Sequence, residues 1–116
     1  MNDIEKIEYI NSLFDIYKEL LTDKQRQIIE KYYIFNLSLA EISEELLISR
    51  NAVSDTINHA IKKLENYEEK LKIFRKRQLL IKKIEECNLT KEEKENILDE
   101  VIYGIWSFKW KIFKSY

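Results

Sequence analysis

Glycine and proline are almost absent from this chain: among 116 residues there is one glycine and no proline. Proline interrupts helices, and glycine supplies the left-handed backbone of the tight turns that short strands need. Apolar residues recur at three- and four-residue steps, as they do on one face of an α-helix. The sequence therefore predicts an all-α protein, a helical bundle with a modest core.

Apolar periodicity and N-cap residues divide the chain into five predicted helices. Their bounds are about 3–20, 23–35, 38–46, 50–69 and 91–103. Three of them begin with the spacing of a capping box, in which two side chains satisfy free backbone amides of the first turn. These pairs are Thr22 with Gln25, Ser38 with Glu41, and Thr90 with Glu93. No stop signal separates residue 50 from Cys87, so the fourth helix is expected to continue unbroken over that range.

The spacing within residues 38–53 is typical of a helix-turn-helix. A short helix with the small Ala40 is followed by a turn containing the apolar Ile48, and then by a second helix capped by Ser49. In such a unit the first turn of the second helix faces outward, where Arg forks onto guanine or phosphate and Asn pairs with adenine. The predicted DNA-binding residues are Ser49, Arg50, Asn51, Ser54, Asp55, Asn58 and Lys62.

Two features favour the alternative that this helix pair is only part of a bundle. Residues 38–65 carry five acidic against three basic side chains, whereas duplex binding normally draws on the neutralisation of phosphates. Leu47 also occupies the turn position where glycine or asparagine would accept a positive φ. In this alternative the motif is a scaffold, and the protein is an interaction module that binds RNA or another protein.

These residues resemble the YlxM-like proteins of low-GC Gram-positive bacteria and mycoplasmas, whose helix-turn-helix is similar to region 4 of sigma factors. The resemblance is carried by residues 20–25 with Tyr32 and Tyr33, residues 38–42, Ser49 and Arg50 with Val53 and Asp55, and residues 64–71. It covers about residues 3–72 and departs from the family at Leu47 and at Ser54, where an aromatic residue is usual. The resemblance implies a cytoplasmic regulatory or accessory protein of the signal recognition particle pathway, with components of that particle as partners.

A second candidate surface lies in residues 70–84, which contain seven basic and no acidic side chains. At about 100° per residue, one face of the helix is basic and the other apolar. The apolar residues are Ile73, Phe74, Leu80, Ile81 and Ile84, and the predicted polyanion-binding residues are Lys72, Arg75, Lys76, Lys82 and Lys83. Such a face suits an RNA or DNA backbone or a membrane surface, although a solvated bundle face has the same composition.

The fourth helix also carries an apolar heptad pattern. Its positions are Ile57, Ala60, Leu64, Tyr67, Leu71, Phe74, Gln78 and Ile81. This seam needs a partner helix, from helix 1 or from a second chain, and the large apolar content favours a homodimer. We divide the chain into a helix-turn-helix domain, 1–69, and a basic helical extension, 70–116. The extension ends in an aromatic and basic tail that either completes a core or contacts lipid or bases.

Other classes of function lack their sequence signals. The chain has no glycine-rich phosphate loop and only one histidine, so we predict neither an enzyme nor a cofactor or metal site. The single cysteine, Cys87, cannot form an intramolecular disulfide, and no basic N-terminal region precedes an apolar stretch as in a secretion signal. No apolar run approaches the roughly 20 residues of a membrane span. These features predict a cytoplasmic protein without a transmembrane segment.

Overall fold

The computed structural model describes residues 2–101, and within this range every regular element is a helix. The predicted all-α class is confirmed. The helices are α1 (Asp3–Tyr17), α2 (Asp23–Ile29), α3 (Leu39–Leu46), α4 (Arg50–Leu71) and α5 (Ile73–Glu85), and α6 extends from residue 91 to at least 101. The chain divides into two compact units, Met1–Lys70 and Leu71–Tyr116. The aromatic tail and the last two residues of the predicted fifth helix lie outside the described residues.

Capping boxes start the helices at the predicted places. Thr22 accepts a hydrogen bond from the Gln25 amide, and the Gln25 side chain accepts one from the Thr22 amide. Ser38 and Glu41 make the same exchange at the start of α3. These two boxes and the third, Thr90 with Glu93, are confirmed. The pairing is local in sequence, which is why the spacing alone identifies it.

The ends of the first two helices depart from regular α geometry. After Tyr17 the chain tightens into a 3-10 turn, Lys18–Leu20, and after Ile29 it widens into a π-helical turn, Glu30–Ile34. Asn36 then adopts a positive φ of 56°, a conformation that asparagine tolerates better than most residues. The Leu37 amide donates to the Lys31 carbonyl at 3.0 Å and closes the helix end.

The core of the first unit is formed by buried side chains from each of its four helices. Its buried apolar side chains are Ile10, Leu13, Phe14, Ile16, Tyr17, Leu21, Ile28, Ile29, Ile42, Val53, Ile57, Ala60 and Leu64. Large aliphatic side chains of this kind each contribute roughly 1.5–3 kcal/mol when fully removed from water. Five of the core residues belong to α1, so this helix is covered on more than one side.

The predicted unbroken helix from residue 50 to Cys87 is wrong. Lys72 has φ 55° and ψ 32°, a left-handed conformation that ends α4 at Leu71 and lets α5 begin at Ile73. Ile73 follows Leu64 by nine residues, which at about 100° per residue would place it on the opposite side of one continuous helix. Both side chains are buried, Leu64 in the first unit and Ile73 in the second. The predicted heptad seam is therefore divided between two helices.

The second unit has its own local links. Ile73 and Ile84 are its buried residues on α5, and the Arg77 guanidinium lies 5.7 Å from the centre of the Phe74 ring, a cation–π contact. The Lys94 ammonium on α6 donates to the Glu85 carbonyl at 2.8 Å. A cation at this position compensates the free carbonyls at the end of α5.

Candidate nucleic-acid interface

The turn between α3 and α4 is short and closed by its own hydrogen bonds. Leu47 has φ 57° and ψ 43°, so the expectation that this position takes a positive φ is confirmed. The Ser43 carbonyl accepts from the amides of Leu47 and Ile48, and the Ser43 hydroxyl donates to the Ile48 carbonyl. Three residues thus connect two helices whose buried side chains, Ile42 and Val53, belong to one core.

Ser49 has a structural role at the start of α4. Its hydroxyl oxygen accepts a hydrogen bond from the Ala52 amide at 3.0 Å, and its carbonyl accepts one from the Val53 amide at 3.1 Å. The first turn of α4 contains no acidic residue and begins with Arg50. The amides of this turn and the Arg50 guanidinium therefore give the start of α4 a positive potential that suits an anion.

The predicted DNA-binding residues follow one side of α4. Ser49, Arg50, Asn51, Asp55, Asn58 and Lys62 are exposed, and Ser54 is half-buried. At about 100° per residue, Asn51, Asp55, Asn58 and Lys62 lie within roughly 60° of one another, with Ser54 beside them. Arg50 has nearly the phase of the buried Ile57 and is exposed as the first residue of α4. The buried residues Val53 and Ile57 point to the opposite side. This exposed face is about 18 Å long, which spans several base pairs.

Two of the three acidic residues on α3 already have partners. The Glu41 carboxylate accepts from the Ser38 amide at 3.2 Å, within the capping box. The Glu45 carboxylate lies 2.8 Å from the Lys31 ammonium, and the Lys31 side chain is only 17% exposed. The negative charge of the motif is therefore partly offset inside the first unit, although Glu44 and Asp55 remain exposed.

The predicted polyanion-binding residues do not share one helix. Lys72 is the left-handed junction, whereas Arg75, Lys76, Lys82 and Lys83 are exposed on α5. Leu80, expected on the buried face, is 40% exposed. At about 100° per residue Leu80 is close in phase to the buried Ile73 and Ile84, so its exposure reflects incomplete cover of that face and not a change of phase.

Several exposed apolar residues were missed in the sequence. Ile4 is 70% exposed and Ile7 46% exposed at the start of α1, and Leu79 is 51% exposed on α5. An open groove of about 630 Å³ lies beside Ile7, and Tyr32, Tyr33 and Leu37 are among its lining residues. Burial raises the pKa of the Tyr33 phenol, and the neighbouring Tyr32 raises it further. The phase of Leu79 alone places it on the basic side of α5, whereas the periodicity of α1 does not show that Ile4 and Ile7 stay uncovered.

Residues 2–101 lack the features of two other kinds of site. This part of the chain contains no group of three histidine, cysteine or carboxylate side chains placed to hold a metal ion. None of its helices combines the length and apolar character of a membrane span.

Comparison with known proteins extends the similarity to most of the chain. The family described as "UPF0122: Putative helix-turn-helix protein, YlxM / p13 like" matches residues 4–101. The chain is 41% identical to a UPF0122 protein of Bacillus cereus (strain AH187) over 105 residues, which cover 88% of this chain and 96% of the relative. The similarity therefore continues beyond residue 72, where the sequence resemblance was expected to end.

Two further relatives match over shorter stretches. A UPF0122 protein of Oceanobacillus iheyensis is 45% identical over 91 residues, which cover 78% of this chain and 87% of the relative. A UPF0122 protein of Lactococcus lactis subsp. cremoris (strain MG1363) is 56% identical over 72 residues, 62% of this chain. The match spans 65% of the length of the Lactococcus protein.

Proposed function

Because this chain belongs to the UPF0122 family of YlxM/p13-like helix-turn-helix proteins, we propose that it binds duplex DNA through the first turns of α4 as a regulatory protein. The observation that carries this proposal is the exposure of Arg50 and Asn51 directly after the closed turn at Leu47. Arg50 reads guanine or binds phosphate, and Asn51 pairs with adenine. Ser54, Asn58 and Lys62 extend the contact along α4.

The electrostatics of α4 support an anionic ligand at its start. The Ser49 oxygen accepts the Ala52 amide, which leaves the Ser49 hydroxyl proton available to donate to a phosphate. The first turn of α4 contains Arg50 and no acid, whereas the first turns of the other helices of the first unit contain acids, such as Asp23 on α2 and Glu41 on α3. An anion that binds here is held by backbone amides, the helix dipole and one guanidinium together.

The pathway and the assembly are part of the same proposal. The resemblance to proteins associated with the signal recognition particle supports a cytoplasmic accessory role in protein targeting, with components of that particle as partners. A homodimer fits a helix-turn-helix protein, because two recognition helices read two half-sites about one DNA turn apart. Exposed apolar residues outside the core, among them Ile4, Ile7 and Leu79, support self-association.

A second candidate function rests on α5. Lys76, Lys82 and Lys83 are exposed there and lie within about 11 Å along the helix axis, close enough to meet neighbouring phosphates. In this alternative the protein binds RNA or a partner protein through the second unit, and the helix-turn-helix is a scaffold.

Selection from a random duplex library at low salt tests the DNA proposal. We expect a recovered sequence preference, and we expect Arg50→Ala to weaken binding where Lys24→Ala, an exposed change on α2, does not. Affinity should fall as salt rises, because each neutralised phosphate releases counterions. An RNA library selected in parallel distinguishes the alternative. Recovery of RNA and no duplex by the unmodified protein would reject DNA binding.

A further inference from the structure

Leu79 on α5 is an exposed apolar side chain surrounded by cations. It is 51% exposed, and the residues three and four positions away on both sides are Arg75, Lys76, Lys82 and Lys83. Because residues at these spacings are neighbours on a helix surface, the five side chains form one continuous surface, the basic patch. An apolar residue at the centre of a phosphate-binding surface gains nothing from the phosphates, so this patch fits an acidic protein surface with an apolar centre.

The first unit presents a surface of that description at the start of α1. Ile4 and Ile7 are exposed and are adjacent on the helix surface, and Asp3 and Glu8 lie four residues from Ile7 and Ile4 respectively. These four residues are the acidic patch. Ile7 and Asp3 also line the open groove of about 630 Å³.

The other residues that line the groove also include apolar and acidic side chains. Its other lining residues are Lys6, Tyr32, Tyr33, Asn36, Leu37, Ser38 and Glu41. They add apolar and aromatic surface and one more carboxylate, and Lys6 is the only cation among the described lining residues. The groove is large enough to accept an aliphatic side chain together with part of the helix that carries it.

We propose that the basic patch of one copy docks on the acidic patch and groove of a second copy, with Leu79 as the apolar anchor. This inference deepens the homodimer of the proposed function and rests on it. The argument is charge complementarity: the lysines around Leu79 meet the acids beside Ile4 and Ile7. Each copy carries one patch of each kind, so a two-fold arrangement satisfies both pairs and closes the assembly as a dimer.

Charge reversal tests the pairing. The basic-patch variant carries Lys76→Glu, Lys82→Glu and Lys83→Glu, and the acidic-patch variant carries Asp3→Lys and Glu8→Lys. Each variant alone should self-associate at least tenfold more weakly in analytical ultracentrifugation, while an equimolar mixture of the two should recover association. Recovery in the mixture requires contact between two molecules, because neither chain contains a complementary pair. Leu79→Ser replaces the exposed apolar anchor with a polar side chain and should weaken association without reversing any charge.

Control measurements distinguish a loss of self-association from a loss of folding and from a loss of DNA binding. Lys24→Glu combined with Lys91→Glu changes exposed charges elsewhere and should leave association unchanged. Circular dichroism should show the same helix content for all variants, because exposed charges contribute little to stability. The residues of α4 are intact in every variant, so duplex binding at one half-site reports on the proposed function separately.

Three results would overturn the proposal. The first is an unmodified protein that remains monomeric up to high micromolar concentration. The second is a mixture of folded variants that stays dissociated. The third is a basic-patch variant that loses RNA binding but associates as the unmodified protein does, which would assign the patch to a polyanion.

Discussion

The Tyr17 hydroxyl on α1 donates a 2.7 Å hydrogen bond to Oε1 of Glu68 on α4, and both side chains are buried. The two residues are separated by 51 positions, so this bond links the first helix to the last turns of α4. The Tyr17 ring also stacks on Tyr67, with the ring centroids 6.1 Å apart. A buried carboxylate needs such donors, because removal from water costs several kcal/mol when a charge is not compensated.

Removal of this donor should destabilise the first unit. We expect Tyr17→Phe to lower the free energy of unfolding by about 1–3 kcal/mol, because the ring still packs while the buried carboxylate loses a hydrogen bond. Urea denaturation measures the loss. Tyr32→Phe, at a half-buried tyrosine of the groove, is the matched control and should cost less than about 0.5 kcal/mol. An equal loss of unfolding free energy in the two variants would show that the hydrogen bond to Glu68 stabilises the protein no more than the Tyr32 hydroxyl does.

Alkaline pH should also destabilise the protein through Tyr9. Burial raises the pKa of the Tyr9 phenol above its usual 10.0, and the carboxylates of Glu68 and Glu65 raise it further. Above pH 10.0 the unfolded chain therefore releases this proton before the folded one does. The contribution of the protonated Tyr9 phenol to the free energy of unfolding is complete below that pH, and it is lost as the pH rises through the pKa of Tyr9 in the folded chain. Burial raises the pKa of Tyr33 as well, so its contribution has the same sign.

Chemical denaturation between about pH 9 and 11 measures this dependence. The free energy of unfolding should fall with rising pH, and Tyr9→Phe should make the fall shallower, because phenylalanine has no proton to release. The double variant Tyr9→Phe with Tyr33→Phe should be shallower still. A slope unchanged by both substitutions would show that the environment of Tyr9 does not differ between the folded and unfolded chains.

Leu47 should be replaceable with a gain in stability. Its left-handed backbone costs a residue with a Cβ about 1–2 kcal/mol, and its side chain is 89% exposed and so contributes little packing. We expect Leu47→Gly to raise the free energy of unfolding by about 1 kcal/mol after the greater flexibility of unfolded glycine is included. Leu47→Ala keeps the Cβ and should change stability by less than about 0.5 kcal/mol. If Leu47→Ala raised the free energy of unfolding as much as Leu47→Gly, the gain would come from removal of the exposed side chain and not from relief of the left-handed backbone.

Ser49 allows the capping and binding roles of the α4 start to be separated. Ser49→Ala removes the acceptor for the Ala52 amide and should cost about 1 kcal/mol of stability. Ser49→Asp keeps an acceptor and should leave stability nearly unchanged, but it places a negative charge beside Arg50. If DNA binds here, duplex affinity should fall by at least tenfold in the aspartate variant. Unchanged duplex affinity in that variant would remove the α4 start from the binding surface.

Much of the site was predictable because its determinants are close in sequence. A capping box needs only two residues three positions apart, as with Ser38 and Glu41, and the bonds form within the helix that they start. The positive φ at Leu47 follows from the length of the turn between two helices of one bihelical unit. The exposure of Asn51 follows from the opposite phase of Val53 and Ile57 on the same helix, whereas Arg50 is exposed as the first residue of α4.

Tertiary structure decided where the long fourth helix breaks and which apolar faces are covered. The sequence has no stop signal at Lys72, because a left-handed residue other than glycine persists only where the surrounding structure holds it, and that support is not encoded locally. Ile4 and Ile7 likewise belong to the apolar periodicity of α1, yet both are exposed. Periodicity determines which residues share a face, whereas only packing between elements determines whether that face is covered.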